Sequence, residues 1–327
     1  PSDRQRSEMT KLGKISPPDF GFTRIITVSY SAFDSFQIPG IDEDERRQIS
    51  KDIERGTGRF IFCGLRDIVA ELHDDFQKQP SENDLSVVSE PYESDNDRRT
   101  NTQLKSLDQL SAEFTSLISN IKEKDRTHLF EDALKTLLSD PSFDEGLEAT
   151  IESLVGDSPD STFQRWSTGH KISLHVLASI TAHSQRKSLV LFDEPETHLH
   201  PPLIAALMRS IRIVLEQTNA FGIVATHSPV ILQETVSRHV LIVERVGDKF
   251  LTRKPQMETF AESIGALTYD SFGLTAETTY FHETLKRLVA SADNPDQINE
   301  LFPIGLSAQA EAYVMALFAR KALNKDG

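Results

Sequence analysis

The chain has 327 residues, 38% hydrophobic and 26% charged, with 35 Lys and Arg against 50 Asp and Glu for a net charge of −15. This composition excludes wholesale disorder, and the acidic balance excludes a surface coated in basic residues for nucleic acid, leaving room only for a local basic groove. A single Cys, Cys63, excludes an intrachain disulfide and any Cys-based zinc cluster. The longest apolar run, 312–319, is far short of the roughly 20 residues a membrane span needs. No basic segment followed by an apolar one stands at the start, so the expectation is a cytoplasmic protein with no membrane partner. The sequence opens on Pro1 rather than Met, from which we expect it to begin inside a longer protein.

In chain order, residues 1–19 are polar and read as a tail or loop. The β-branched segment 23–30 reads as a strand, the polar stretch 31–58 is broken at Gly56 and Gly58, and 59–63 reads as a second strand. Residues 79–102 have the composition of a mobile loop. From Leu104 to Leu138 apolar residues fall at helical spacing (Leu107, Leu110, Phe114, Leu117, Ile118, Ile121), which predicts a helical module between two α/β portions. Ile172, Val176 and Ile180 form the next helix face, and 188–192 is a short continuous apolar strand of the kind buried in a parallel sheet. Leu203, Leu207, Ile211 and Leu215 step along a helix, 221–226 reads as another buried strand and 240–244 as a third. Helices follow near 281–292 and 307–323. The expected fold is α/β with a mainly parallel sheet and a helical C-terminal region. We expect four parts: 1–78 and 161–250 as the core, 79–160 as loop plus helical module, and 251–327 as a docking or dimerisation region.

Three places carry chemistry. Asp193 and Glu194 end the apolar strand 188–192, at the sheet edge where ligands bind in open α/β folds. A partly desolvated acid there needs a cation, and Mg²⁺ fits because it takes one or two carboxylates while phosphates supply other oxygens. The adjacent acid faces elsewhere and can orient or deprotonate water. Downstream, the strand 221–226 ends at His227, and the single helix between the two strands puts their ends side by side. An imidazole there can donate to a terminal phosphate oxygen. Upstream, Ser167-Thr168-Gly169-His170-Lys171 is a small polar turn feeding a helix, with free N–H groups and the helix dipole aimed at an incoming anion.

Together these residues resemble the ABC/SMC-type ATPases, in their OLD-like, AAA_21-like branch. Ser167-Thr168-Gly169-His170-Lys171 resembles the signature motif, 189–194 the Walker B strand with its catalytic Glu, and Glu196-Thr197-His198-Leu199-His200-Pro201 the D-loop; His227 resembles the switch His. The resemblance implies a P-loop NTPase fold of ABC type and a homodimer or higher oligomer packed head to tail around ATP and Mg²⁺. Ser167 and Gly169 would contact the γ-phosphate held by the opposite subunit, Asp193 would serve Mg²⁺, Glu194 the water and His227 the γ-phosphate. Glu196, Thr197, His198 and His200 would meet the partner subunit.

One departure is large: no G-x-x-x-x-G-K-[ST] occurs, and the expectation is that this loop lies just upstream of Pro1. Without it the protein would be a pseudo-ATPase scaffold. A finer resemblance, carried by residues 24–36, 62–67 and 258–265, is to the PtuA-like ATPase subunit of Septu anti-phage systems, also found with retrons. It implies a partner HNH nuclease and, through the retron link, a nucleic acid or a reverse-transcriptase and non-coding RNA complex. An SMC-like DNA-repair ATPase is the rival, but 104–138 is too short for its heptad arms. Glu244 resembles the first acid of a Toprim nuclease, yet no Asp-x-Asp follows it. A transition-metal site drawn from His170, His175, His183, His198 and His200 is weighed and set below the D-loop reading.

Overall fold

The computed structural model describes residues 21–31, 43–54, 56–77, 102–143, 147–156, 159–247, 249–273 and 280–323. The expected tail at 1–19, nearly all of the expected loop at 79–102, and residues 32–36 of the finer resemblance lie outside them. Contacts divide the chain into two compact units, Pro1–Ile231 and Leu232–Gly327.

In the first unit β1 (Arg24–Ser29), β2 (Phe60–Gly64), β3 (Ser188–Asp193) and β4 (Phe221–Ala225) form one all-parallel sheet in the order β2-β1-β3-β4. Its central strands are covered on both faces, with Ile26, Val28, Leu189, Val190 and Phe192 all buried, which is why they read as aliphatic runs rather than alternating ones. The helix α1 (Glu43–Glu54) joins β1 to β2, and α2 (Ile68–Gln77) follows β2. The chain leaves β1 for one flank of the sheet and returns as β3 on the other, so the strand order reverses between them, at the kind of crevice that binds ligands in such sheets. The register pairs Ser29 with Asp193 and Asp193 with Ala225, which aligns the strand ends on one edge. A Cβ at Gly64, at the end of β2, would stand 1.9 Å from the Ser29 carbonyl oxygen, so this close approach admits only glycine.

Between β2 and β3 run α3 (Leu107–Glu123), α4 (Thr127–Leu137), α5 (Leu147–Val155) and α6 (Pro159–Arg165). Ser106 and Gln109 start α3 with a reciprocal capping box. The predicted apolar stripe Phe114, Leu117, Ile118, Ile121 is buried, and Phe114 stacks on Phe163 at 4.5 Å. These side chains share one hydrophobic core with Ile26, Val28 and Phe192. The helix α7 (Thr168–His183) threads that core, and α8 (Pro201–Thr218) links β3 to β4.

A polar line crosses this core. Tyr30 Oη lies 2.5 Å from His175 Nδ1, and Cys63 Sγ lies 3.5 Å from both. On the other side of the ring, Nε2 faces Glu113 Oε2 at 3.6 Å, an ion pair too long for a hydrogen bond, and Lys105 Nζ binds the same oxygen at 2.6 Å. Burial works to lower the pKa of His175, but the Glu113 carboxylate and the Cys63 thiol outweigh it and hold it up at about 9. Burial would raise Glu113, yet His175 and Lys105 bring it to about 2.

Two strand expectations need correction. The segment 221–226 was expected to be buried, but Phe221 and Ile223 are half exposed, because among the described residues β4 is the edge strand, flanked only by β3. The segment 240–244 was expected in the parallel sheet. Instead β5 (Ile242–Val246) pairs antiparallel with β6 (Lys249–Arg253) in a separate two-stranded ribbon of the second unit. Gly247, at φ 61°, turns the chain back on itself, which the aliphatic run before it conceals. Only one side of that run is used: Val240 and Ile242 bury against Leu232 and Leu267, while Leu241 and Val243 are exposed.

The helix α9 (Pro229–Gln233) spans the boundary between the units. The second unit continues with α10 (Ile264–Phe272), α11 (Tyr280–Ser291), α12 (Pro295–Asn299) and α13 (Ala308–Leu323), where Leu285, Val289, Ile298 and Val314 make a small core. No helix among the described residues is long and apolar enough to cross a membrane.

Candidate functional site

The acidic edge is built at the ends of β3 and β4. Asp193 is the last residue of β3, and Glu194 N–H donates to the Ala225 carbonyl at 2.9 Å, prolonging the ladder by one bond. Glu194 then turns at φ 44°, a left-handed conformation uncommon for a residue with a side chain. Its carboxylate Oε1 lies 3.6 Å from His227 Nδ1. Both side chains are open to solvent, 47% and 64% exposed.

Glu196 organises this edge. One oxygen accepts the Thr226 hydroxyl at 2.8 Å, and the other accepts the His227 backbone N–H at 2.7 Å and stands 3.4 Å from His227 Nδ1. Ser228 N–H in turn donates to Thr226 Oγ1 at 2.9 Å. Glu196 therefore fixes the loop after β4 within the same chain, a role its sequence resemblance did not assign. Beside Asp193, the register-paired Ser29 carries a buried hydroxyl with no hydrogen-bond partner among the described residues.

The turn expected to act as the signature, called the signature corner below, lies at the start of α7. Ser167 is its N-cap, extended at φ −64° and ψ 164°, and its Oγ accepts the His170 backbone N–H. Ser167 and Thr168 are exposed, Lys171 is half-buried and His170 is buried. A Cβ on Gly169 would stand 2.9 Å from the His198 carbonyl oxygen and in contact with Leu199 and Leu203. The backbone of His198 therefore lies directly on Gly169, with the exposed His198 itself at φ 69°. The His170 ring packs against Phe143 and Trp166, with centroids at 4.2 and 5.2 Å. Burial, and then the neighbouring His200, hold its pKa below the ordinary value against the pull of Asp140.

Behind His170 is a cluster the sequence did not reveal. His170 Nε2 lies 2.7 Å and His200 Nε2 3.1 Å from the Ser142 hydroxyl, which donates to Asp140 Oδ1. Ligand atoms of Asp140, His170 and His200 fall within 4.8 Å of one another, a spread that would suit a divalent cation. The hydrogen bonds argue for a different use. His200 is the N-cap of α8, its Nδ1 accepting the Leu203 N–H at 3.4 Å, so its proton is on Nε2, which then cannot ligate. The Ser142 hydroxyl stands among the three groups, bonded to both rings and to one oxygen of Asp140. The only signal in the sequence is the turn Asp140-Pro141-Ser142 after a helix.

The five histidines weighed for a transition metal do not converge. His170 and His200 meet at Ser142, and His175 belongs to the Cys63 and Glu113 line. His183 is held to a pKa of about 3 by burial and then by the charges of Lys124 and Arg24, and His198 points into solvent. Residues 258–265 lie in the second unit. There Glu258 accepts N–H groups of Phe260, Ser237 and Thr259 and the Ser237 hydroxyl, bonds that lower its pKa to about 2, and Ser263 caps α10.

The family described as "AAA domain, putative AbiEii toxin, Type IV TA system" matches residues 24–233, which takes in all four strands of the sheet, the signature corner and the acidic edge. A curated relative, protein ea59 of Escherichia phage lambda, is 30% identical over 307 residues. That alignment covers 87% of this chain and 51% of ea59, so the chain spans about half the length of the relative it matches.

Proposed function

Because the chain belongs to the AAA_21 family of P-loop ATPase domains, we propose that it works as an ABC-type engine, binding and hydrolysing ATP between two copies packed head to tail. The observation that carries this reading is the pairing of Glu194 with His227, 3.6 Å apart and exposed at the adjacent ends of β3 and β4, one strand along from the β1–β3 crevice where the sheet order reverses. An inert acidic turn needs neither an imidazole beside it nor a left-handed residue to present its carboxylate. Here a second acid, Glu196, holds the imidazole's backbone in place.

The donor set suits Mg²⁺, since Asp193 and the neighbouring Ser29 hydroxyl, without a hydrogen-bond partner among the described residues, are hard oxygen donors. When bound, that cation would neutralise charge on the phosphates. Asp193 would hold it, Glu194 would orient or deprotonate the attacking water, and His227 would donate to the γ-phosphate. Ser167, Thr168, Gly169, His170 and Lys171 would meet the γ-phosphate carried by the second copy. The exposure of Ser167 and Thr168 supports this, because a group that acts on another subunit's ligand must be reachable from outside. Thr197, His198 and His200 would lie near the same seam.

The resemblance at 62–67 and 258–265 extends the reading to anti-phage defence, in which the cycle controls an HNH-type nuclease, with nucleic acid or a reverse-transcriptase and RNA complex as a further partner. The test has two parts. Phosphate release by the native full-length protein, wild type against Glu194→Gln, is expected to fall to background in the variant; equal turnover refutes the engine. Affinity capture from the native host with mass spectrometry is expected to recover an HNH nuclease, and capture of the ATPase without one removes that partner from the reading.

A further inference from the structure

Ser167 has one hydroxyl proton and two calls upon it. Its oxygen accepts the His170 backbone N–H and lies 2.8 Å from His170 Nδ1. His170 Nε2 donates to Ser142 Oγ, so Nδ1 is the bare nitrogen and the Ser167 proton points inward to it. A γ-phosphate oxygen arriving from a second copy needs that same proton turned outward. The lone pairs of Nδ1 and Ser167 Oγ would then face each other at 2.8 Å, unless Nδ1 acquires a proton of its own.

The cluster behind the ring is arranged to allow this. A ring protonated at both nitrogens would donate to Ser167 on one side and Ser142 on the other. The Ser142 hydroxyl donates a hydrogen bond to Asp140 Oδ1, which also accepts the Ser142 N–H at 2.9 Å. The Asp140 side chain is almost wholly buried, and its second oxygen has no hydrogen-bond partner among the described residues, so its charge is poorly compensated in the resting chain. The other titratable group facing His170 is His200, and it is committed at both nitrogens, to Leu203 N–H and to Ser142. Phe143 and Trp166 cover the rest of the ring.

We propose that Asp140, acting through Ser142, is a positioning residue for the signature serine: it stabilises His170 carrying a proton on both ring nitrogens, the form that lets Ser167 turn its hydroxyl to a γ-phosphate held by a second copy. The added proton comes from water, Ser167 keeps its own, and no other bond changes. The proposal rests on the ATPase reading above, and it ties the loop after α4, in the helical module, to the nucleotide site.

The test uses native full-length protein with ¹⁵N-labelled histidine. At rest His170 is expected as the neutral tautomer with its proton on Nε2. In Glu194→Gln loaded with ATP, both His170 nitrogens are expected to be protonated. Asp140→Asn keeps an acceptor for Ser142 but removes the charge; its ring should stay neutral with ATP, and kcat should fall about tenfold, the equivalent of one pKa unit, with KM for ATP unchanged. Ser142→Ala should do the same, and Ser142→Thr, which restores the hydroxyl, should recover most of the loss. A resting proton on Nδ1, an added proton on His200, or wild-type kcat in Asp140→Asn overturns the proposal. An ATP-bound assembly that forms without protonating His170 sinks this inference alone; no ATP-bound assembly and no turnover in any form sinks the ATPase reading with it.

Discussion

The signature corner and the acidic edge are held by opposite means. At the corner, packing does the work: the D-loop backbone rests on Gly169, His170 is enclosed by two aromatic rings, and the module's own loop backs the ring. At the edge, Glu194 and His227 are largely exposed and their placement depends on one carboxylate, Glu196, with its bonds to Thr226 and His227. Packing fixes geometry in advance, whereas a polar clamp on exposed groups leaves them free to respond to a ligand. On this contrast, changes at the edge should cost chemistry with little stability, and changes at the corner should cost both.

The largest effect is expected at the edge. On the proposed reading Glu194→Gln removes the base and spares Asp193, so hydrolysis should fall by about 10²–10⁴-fold while ATP-bound assemblies accumulate, read by phosphate release and light scattering. His227→Ala removes one donor and should slow turnover by about 10²-fold at saturating ATP, with an unchanged melting curve because the ring is 64% exposed. At the corner, Gly169→Ala forces a methyl against the His198 carbonyl and should cost about 1–3 kcal/mol of stability, read by urea denaturation. If that variant were as stable as wild type, the corner would be no better packed than the edge.

A separate effect tests the core beneath both. The pKa of His175 is raised from 6.5 to about 9, so the stability it contributes is complete below about pH 6.5 and is lost as pH rises through 9. His183, eight residues along the same helix, is depressed from 6.5 to about 3 and works the other way, its contribution lost as pH falls from 6.5 toward 3. Denaturation midpoints should decline at both extremes, and Glu113→Gln should remove most of the alkaline decline. An alkaline limb unchanged in that variant would detach His175 from Glu113.

The sequence made legible what is local and periodic. The run 188–192 ending in Asp193 and Glu194, the turn before α7 and the stripe from Phe114 to Ile121 all carry their pattern in neighbouring residues. What escaped depends on distance along the chain. Asp140 meets His170 only because α4, α5 and α6 fold back on α7, and no spacing rule connects them. Glu196 reads as a seam residue, and only the adjacency of β3 and β4 turns it toward Thr226. The run 240–244 misled for a different reason: aliphatic residues on both sides of a ribbon look the same in sequence whether a second layer covers them or not.

Cys63 is the chain's one cysteine, and it lies at 0% exposure between Tyr30 and His175. An alkylating reagent cannot touch it until the strands part. The rate at which this single thiol is modified is thus a clock for opening of the sheet, read without an engineered label and able to register whether nucleotide tightens the fold even where no turnover is measured.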